Sequence, residues 1–173
     1  GLPTNLDCPA IESLPINSSL LVLFIRDFDM AYKGRYSPTN KEKYHGNPTN
    51  VIYRSLWERK FMKWCDLNDS VLKWGSEETI IPYVSPIDKK IHRYFVDFYV
   101  QLQDKNGMIK SYLVEVKPKK YTKPPSQTPK KRTRAWFSEV KNWGVNEAKW
   151  KAATEYAKDK KWEFIILTED HLN

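Results

Sequence analysis

Apolar and polar positions follow two different periods along this chain. Tyr53, Leu56, Trp57, Phe61 and Trp64 recur at three- and four-residue steps, the spacing that lines one face of a helix. The pattern predicts a first helix over residues 51–65, with Asn50 as its N-cap and Asp66, Asn68 and Asp69 closing it. From residue 93 the period drops to two. Tyr94, Val96, Phe98, Val100 and Leu102 form one face of a strand over 93–103, and Phe95, Asp97, Tyr99 and Gln101 form the other. An earlier strand is predicted over 79–84, with 71–74 as a lead-in and Pro82 marking an edge or a bulge. A third covers 108–117, with Ile109, Ser111, Leu113, Glu115 and Lys117 on one side. Ala148, Ala152, Ala153, Tyr156 and Ala157 predict a helix over 146–158, preceded by a shorter one at 135–140 and followed by a buried strand at 162–167. Both faces of the strands are largely apolar, so the sheet is expected to be covered on both sides. The order helix, three strands, helix, strand makes this an α/β fold.

The turn between the second and third strands sets which side chains meet. A two-residue Asn106-Gly107 turn would put Asp97 opposite Val116. A three-residue loop, Lys105-Asn106-Gly107 with Gly107 left-handed in a bulge, puts Asp97 opposite Glu115 and Phe95 opposite Lys117. We adopt the second register. Directly opposed residues have Cβ atoms about 5 Å apart, so the two carboxylates repel unless a cation lies between them.

Composition narrows the field. The chain has 173 residues, which suits one domain. Its longest apolar run, residues 20–25, is far short of the about 20 residues a membrane span needs, and no partner role at a membrane is expected. Cys8 and Cys65 show neither a disulfide framework nor zinc spacing. A seam falls near Met30. Residues 1–29 contain no Lys, Trp or Tyr, hold Pro3, Pro9 and Pro15, and carry four acids against Arg26 alone. We read them as an N-terminal extension, with the folded domain over 30–173 and a surface arm over 31–50.

The net charge of +8 is local. Lys117, Lys119, Lys120, Lys123, Lys130, Lys131, Arg132 and Arg134 fall in an 18-residue, Pro-rich connector without an acid, and the rest of the chain balances at 21 of each sign. One basic segment on a neutral body is a footprint for a polyanion.

Chemistry concentrates in four residues. Glu115 and Lys117 are two apart on a strand and point the same way, into the space of Asp97. Glu58 sits about 100° from the centre of the first helix's apolar stripe, on its rim. Two acids and the Val116 carbonyl offer hard oxygen donors of the kind Mg²⁺ takes, Glu58 could complete the shell, and Lys117 offers a fixed positive charge to a phosphoryl transition state. Each piece alone is commonplace; together, on an apolar strand face beside a basic segment, they favour phosphodiester chemistry. His45, His92 and His171 lack ligand spacing; Glu77 and Glu78 read as exposed charges at the strand entrance, with an approach to the metal site as the alternative; Trp136 and Phe137, beside Arg132 and Arg134, read equally as base-stacking or packing residues.

The order of elements with Glu58, Asp97 and Glu115-Val116-Lys117 resembles the PD-(D/E)xK nuclease superfamily, and more nearly the TnsA-like endonucleases. It is most similar to the head-completion nucleases of T-even-type tailed phages. Tyr53-Arg54-Ser55-Leu56-Trp57-Glu58, Trp74-Gly75-Ser76-Glu77, Arg93-Tyr94-Phe95-Val96-Asp97, Glu115-Val116-Lys117-Pro118-Lys119-Lys120 and Ile166-Leu167-Thr168-Glu169-Asp170 carry the resemblance, which covers Met30 onward. Val96 stands where the superfamily's name-giving Pro would be.

The resemblance implies a restriction-endonuclease-like core, a mixed central sheet flanked by helices. It implies metal on Asp97 and Glu115, with Lys117 catalytic and Glu58 as the helix carboxylate; the donor set read above, which adds Glu58 and the Val116 carbonyl, gives Mg²⁺ as cofactor and Mn²⁺ as a substitute. It further implies double-stranded DNA as substrate, the polyanion that Lys119, Lys120, Lys123, Lys130, Lys131, Arg132 and Arg134 are expected to hold. Head, portal or neck proteins are the implied partners, in the virion and, during assembly, the host cytoplasm. A neck protein that keeps the fold and binds DNA with little cutting, and a TnsA-like recombination nuclease, are the alternatives.

Overall fold

The computed structural model describes residues 32–172; the seam at Met30 and the extension over 1–29 lie outside them. The first helix begins later than the apolar stripe predicts. Val51–Tyr53 is a short strand (β2) paired antiparallel with Gly34–Tyr36 (β1), and the helix α1 runs Leu56–Leu67. The β-branched pair Val51-Ile52 favours extended backbone. The true cap is Ser55, whose hydroxyl accepts from the Glu58 N–H at 3.1 Å. Ser55-Leu56-Trp57-Glu58 is a capping box, the signal that outranks Asn50. Ser55→Ala is expected to cost about 1 kcal/mol, read as a lowered urea midpoint at unchanged slope.

Residues 32–50 are mostly exposed, as a surface arm would be, but the segment is anchored at two points. The Tyr36 hydroxyl and the backbone N–H groups of Thr39 and Asn40 all donate to the carboxylate of Asp66, which is 0% exposed near the end of α1. Tyr44 then buries its ring edge-on against Trp74, 4.8 Å between centroids. One hydroxyl and two backbone amides of this segment satisfy one buried carboxylate.

Four strands form the central sheet: Val71–Ser76 (β3), Phe98–Gln103 (β6), Ile109–Val116 (β7) and Glu163–Leu167 (β8), in the order β3-β6-β7-β8. β8 runs parallel to β7 and the other pairs are antiparallel, so the sheet is mixed. The expected lead-in is thus the sheet's edge strand. The expected first strand lies instead in a separate hairpin of Ile80–Val84 (β4) and Ile91–Phe95 (β5). Pro82 sits there with no third strand, among the described residues, to disrupt. In the sheet itself, the helix, three strands, helix, strand order holds.

Helices cover both faces. Phe61, Met62 and Cys65 of α1 pack against Phe98, Val100, Val114, Val116 and Ile165. On the other side Ala153 and Ala157 pack with Leu113, Tyr94 and Val96. They belong to Arg134–Asp159 (α2), one 26-residue helix capped by Thr133 where two shorter helices are expected. Its first four turns bury nothing fully, which is why the apolar period there is weak. A last turn of helix, Glu169–Leu172 (α3), follows β8.

The long predicted strand over 93–103 is broken at Val96-Asp97. Tyr94 and Val96 lie in the α2-side core, whereas Phe98 and Val100 lie in the α1-side core. The chain therefore changes face at the break, and the single alternation expected across it does not hold.

Candidate active site

The hairpin loop between β6 and β7 places the candidate residues. Gly107 has φ +79°, the left-handed value a side chain would resist. Gln103 pairs with Ile109, Asp104 N–H donates to Met108 O, and Gly107 N–H donates to Asp104 O. This is the three-residue loop, and its register runs back to Phe98 opposite Val114. One step further puts Asp97 beside Glu115.

Asp97 occupies the break before β6. Its Oδ2 accepts from the Val116 N–H at 2.8 Å, and its own carbonyl accepts from the Glu77 N–H at 3.1 Å. Glu115, only 6% exposed, accepts from the buried Tyr94 hydroxyl through Oε2, and its Oε1 lies 3.7 Å from Lys117 Nζ. The face switch at the break is what brings Tyr94 to Glu115. Lys117 is fixed in turn by its backbone N–H, which donates to Leu167 O at 2.9 Å.

Glu58 stands nearby but is engaged. Its Oε2 accepts from Arg54 N–H at 2.9 Å and its Oε1 from the Ser55 hydroxyl at 3.3 Å. Its carboxylate braces the N-cap residue Ser55 and the residue before it. Among the described residues no group of three or more His, Cys, Asp and Glu side chains converges closely enough to hold a metal ion unaided.

Charge at the site is unbalanced. Burial, then the negative charges of Glu115 and Glu58, push the Asp97 carboxyl well above the usual carboxylate range, with the Val116 N–H and Lys117 opposing. Burial likewise raises Glu58, against the donors Arg54 and Ser55. Acids in this state are discharged by a proton or a cation. The hard donors available, Asp97, Glu115 and the Val116 carbonyl, suit Mg²⁺, which binds through one or two carboxylates and keeps several waters.

Two neighbours are missing from the set the sequence pattern suggests. Arg54 Nε lies 2.9 Å from Glu77 Oε1, and Nη2 lies 3.2 Å from Oε2, joining the start of α1 to the turn after β3. Glu77 holds φ +55°, a backbone state that costs a non-glycine residue about 1 kcal/mol. Glu78 accepts from the Tyr44 hydroxyl at 3.2 Å. Glu78 is exposed as expected, though hydrogen-bonded, whereas Glu77 is partly buried and ion-paired.

The basic connector divides in two. Lys119 is committed: its N–H donates to Glu169 Oε2 at 2.8 Å and its ammonium pairs with Asp170. Lys120, Lys123, Lys130, Lys131, Arg132 and Arg134 are exposed, with no acidic partner among the described residues. Arg132 lies 5.8 Å from the ring centre of Trp136, whose Nε1 donates to Ser126 O at 2.8 Å. That aromatic pins the connector to α2.

The chain is similar to known proteins. Residues 68–169 match the family described as TnsA-like endonuclease N terminal. The chain is also 41% identical over 146 residues to the head completion nuclease of Enterobacteria phage T4, an overlap of 83% of this chain and 95% of that protein.

Proposed function

The chain belongs to the TnsA-like endonuclease family, and we propose that it is a Mg²⁺-dependent enzyme that cuts double-stranded DNA during completion of a phage head. Asp97, Glu115 and Lys117 carry the reading, gathered where β6 begins beside the end of β7. Asp97, Glu115 and the Val116 carbonyl would hold the cation, with Glu58 at its margin. The ion would supply Lewis-acid polarisation of the scissile phosphate. Lys117 would present a fixed positive charge to the oxygen that gains negative charge. The test is cleavage of duplex DNA with Mg²⁺ by the wild-type protein and by Asp97→Asn; equal cutting overturns the proposal.

The exposed cations of the connector would hold the DNA backbone. Replacing Lys130, Lys131 and Arg132 with Ala is expected to flatten the dependence of log affinity on log salt by about 0.9 for each phosphate left without its cation. Lys119→Ala is expected to change it less, because Asp170 already neutralises that ammonium. A salt titration of DNA binding checks both.

The T4 relative is named for head completion. On that basis the working place is the virion, assembled in the host cytoplasm, and the partners are head, portal or neck proteins. The domain would span 30–173, with 1–29 as an extension. No helix among the described residues is long and apolar enough to cross a membrane. One observation favours a second reading: Glu58 is committed to the helix cap, so two acids rather than three face the site. A DNA-binding head protein with little activity would show salt-sensitive binding and no metal-dependent cutting.

A further inference from the structure

A hollow of about 190 Å³ lies between the basic connector and α2. Lys120, Tyr121 and Lys123 form one wall, and Asn142, Trp143 and Asn146 form the other. The α2 residues are spaced at one helical turn and share a face. Both walls are braced. Trp143 meets the buried Trp150 edge-on at 5.8 Å. Lys119 is tied to Glu169 and Asp170, and the Thr122 hydroxyl donates to Lys119 O at 2.8 Å.

The lining fits one kind of ligand. Tyr121 and Trp143 bring aromatic rings to the hollow, with Lys120 Nζ lying 4.8 Å from the Tyr121 ring centre and so over one of its faces, and Asn142 and Asn146 offer amides that pair with base edges. Lys120 and Lys123 supply positive charge at the connector wall, where a sugar-phosphate backbone would pass. Glu139 also lines the hollow, which disfavours a bare phosphate inside it and suits the exocyclic amino groups of bases. Base-sized volume, aromatic rings, amides and flanking cations together describe a nucleobase site.

Its position says which base. Lys120 follows Lys117 by three residues, a reach of at most about 11 Å, or roughly three base steps at 3.4 Å per step along a strand. A base still stacked in a duplex presents only its edge in the grooves; to enter a hollow it must leave the stack. We propose that this hollow binds an unpaired nucleobase beside the scissile phosphate, so that the substrate is DNA carrying unpaired nucleotides next to the cut. The placement beside a cut rests on the nuclease reading; the affinity of the hollow does not.

Binding in EDTA keeps the two apart. Fluorescence anisotropy compares a short blunt duplex with the same duplex bearing a single-stranded overhang, at fixed salt. The wild-type protein is expected to bind the overhang form on the order of tenfold more tightly. Tyr121→Ala and Trp143→Ala should bring that ratio near one, and Asn142→Ala should lower it and change the ranking of bases within the overhang. Equal wild-type affinities, or a ratio that Tyr121→Ala leaves intact, would overturn the proposal. Trp143 braces Trp150, so if its variant unfolds, the half-exposed Tyr121 decides. Wild-type protein that prefers the overhang but cuts no DNA with Mg²⁺ would sink the nuclease reading alone; wild-type protein that cuts blunt duplex but shows no overhang preference would sink only the hollow.

Discussion

Asp97→Asn should lose DNA cleavage on the order of 10³-fold and yet melt at a higher temperature than the wild type when metal is absent. Both effects follow from the same carboxylate. It is buried beside Glu115 and within electrostatic reach of Glu58, and burial together with those negative charges raises its pKa well above the normal range. An amide in its place can still accept the Val116 N–H that Oδ2 holds at 2.8 Å, while the repulsion disappears. A site that destabilises the empty protein in order to bind a cation is a common exchange of stability for activity. Added Mg²⁺ should stabilise the wild type and leave the variant unmoved, so the two melting curves approach each other as metal rises.

Lys117→Ala separates the roles. Cleavage should fall on the order of 10²–10³-fold, the usual effect of removing one fixed charge or donor at a phosphoryl or acyl transition state. DNA affinity should hardly change, because one half-buried ammonium is removed from a segment with six exposed cations. The Mg²⁺ concentration for half-maximal activity should rise for Asp97→Asn and not for Lys117→Ala. If wild type and both variants cut alike, neither residue takes part.

Much of this site is legible in the sequence because its signals are local. Lys105-Asn106-Gly107 sets the hairpin register, and the register alone brings Asp97 to Glu115. Glu115 and Lys117 share a strand face whatever the rest of the fold does. Other features are hidden because they depend on where an element stops or on residues far apart. The period-two pattern runs unbroken through Val96-Asp97, because both sides of the break are apolar; only tertiary packing shows that Tyr94 and Phe98 enter different cores. The role of Glu58 in bracing the cap is readable in Ser-x-x-Glu, but the apolar stripe that begins at Tyr53 masks it. Arg54 and Glu77 are 23 residues apart, and no local rule pairs them.

Asp66→Ala is the structural counterpart, and its expected cost is about 3–5 kcal/mol. Three donors converge on a side chain with no exposure: the Tyr36 hydroxyl at 2.8 Å, Thr39 N–H at 2.8 Å and Asn40 N–H at 2.9 Å. Truncation leaves all three facing a void, and for a chain of this size the melting temperature should drop by roughly 10 °C. The sign with pH is fixed. Burial alone would raise this carboxyl, but the donors Thr39, Asn40 and Tyr36 outweigh it and hold the pKa below the ordinary value. A carboxylate lowered in the folded state contributes stability above its unfolded pKa of about 4, and loses it as pH falls through the folded value. The gap in stability between wild type and Asp66→Ala should therefore be full at neutral pH and narrow on acidification below about pH 4. A gap that stays constant to the acid limit would mean the carboxylate's charge plays no part. The same anchor reaches the active site. Asp66 holds the segment that seats Tyr44, the Tyr44 hydroxyl accepts from Ser76 N–H at 3.2 Å, and the next residue, Glu77, donates to the Asp97 carbonyl. Asp66→Ala should thus lower cleavage at temperatures where the protein is still folded, although the residue takes no part in the chemistry.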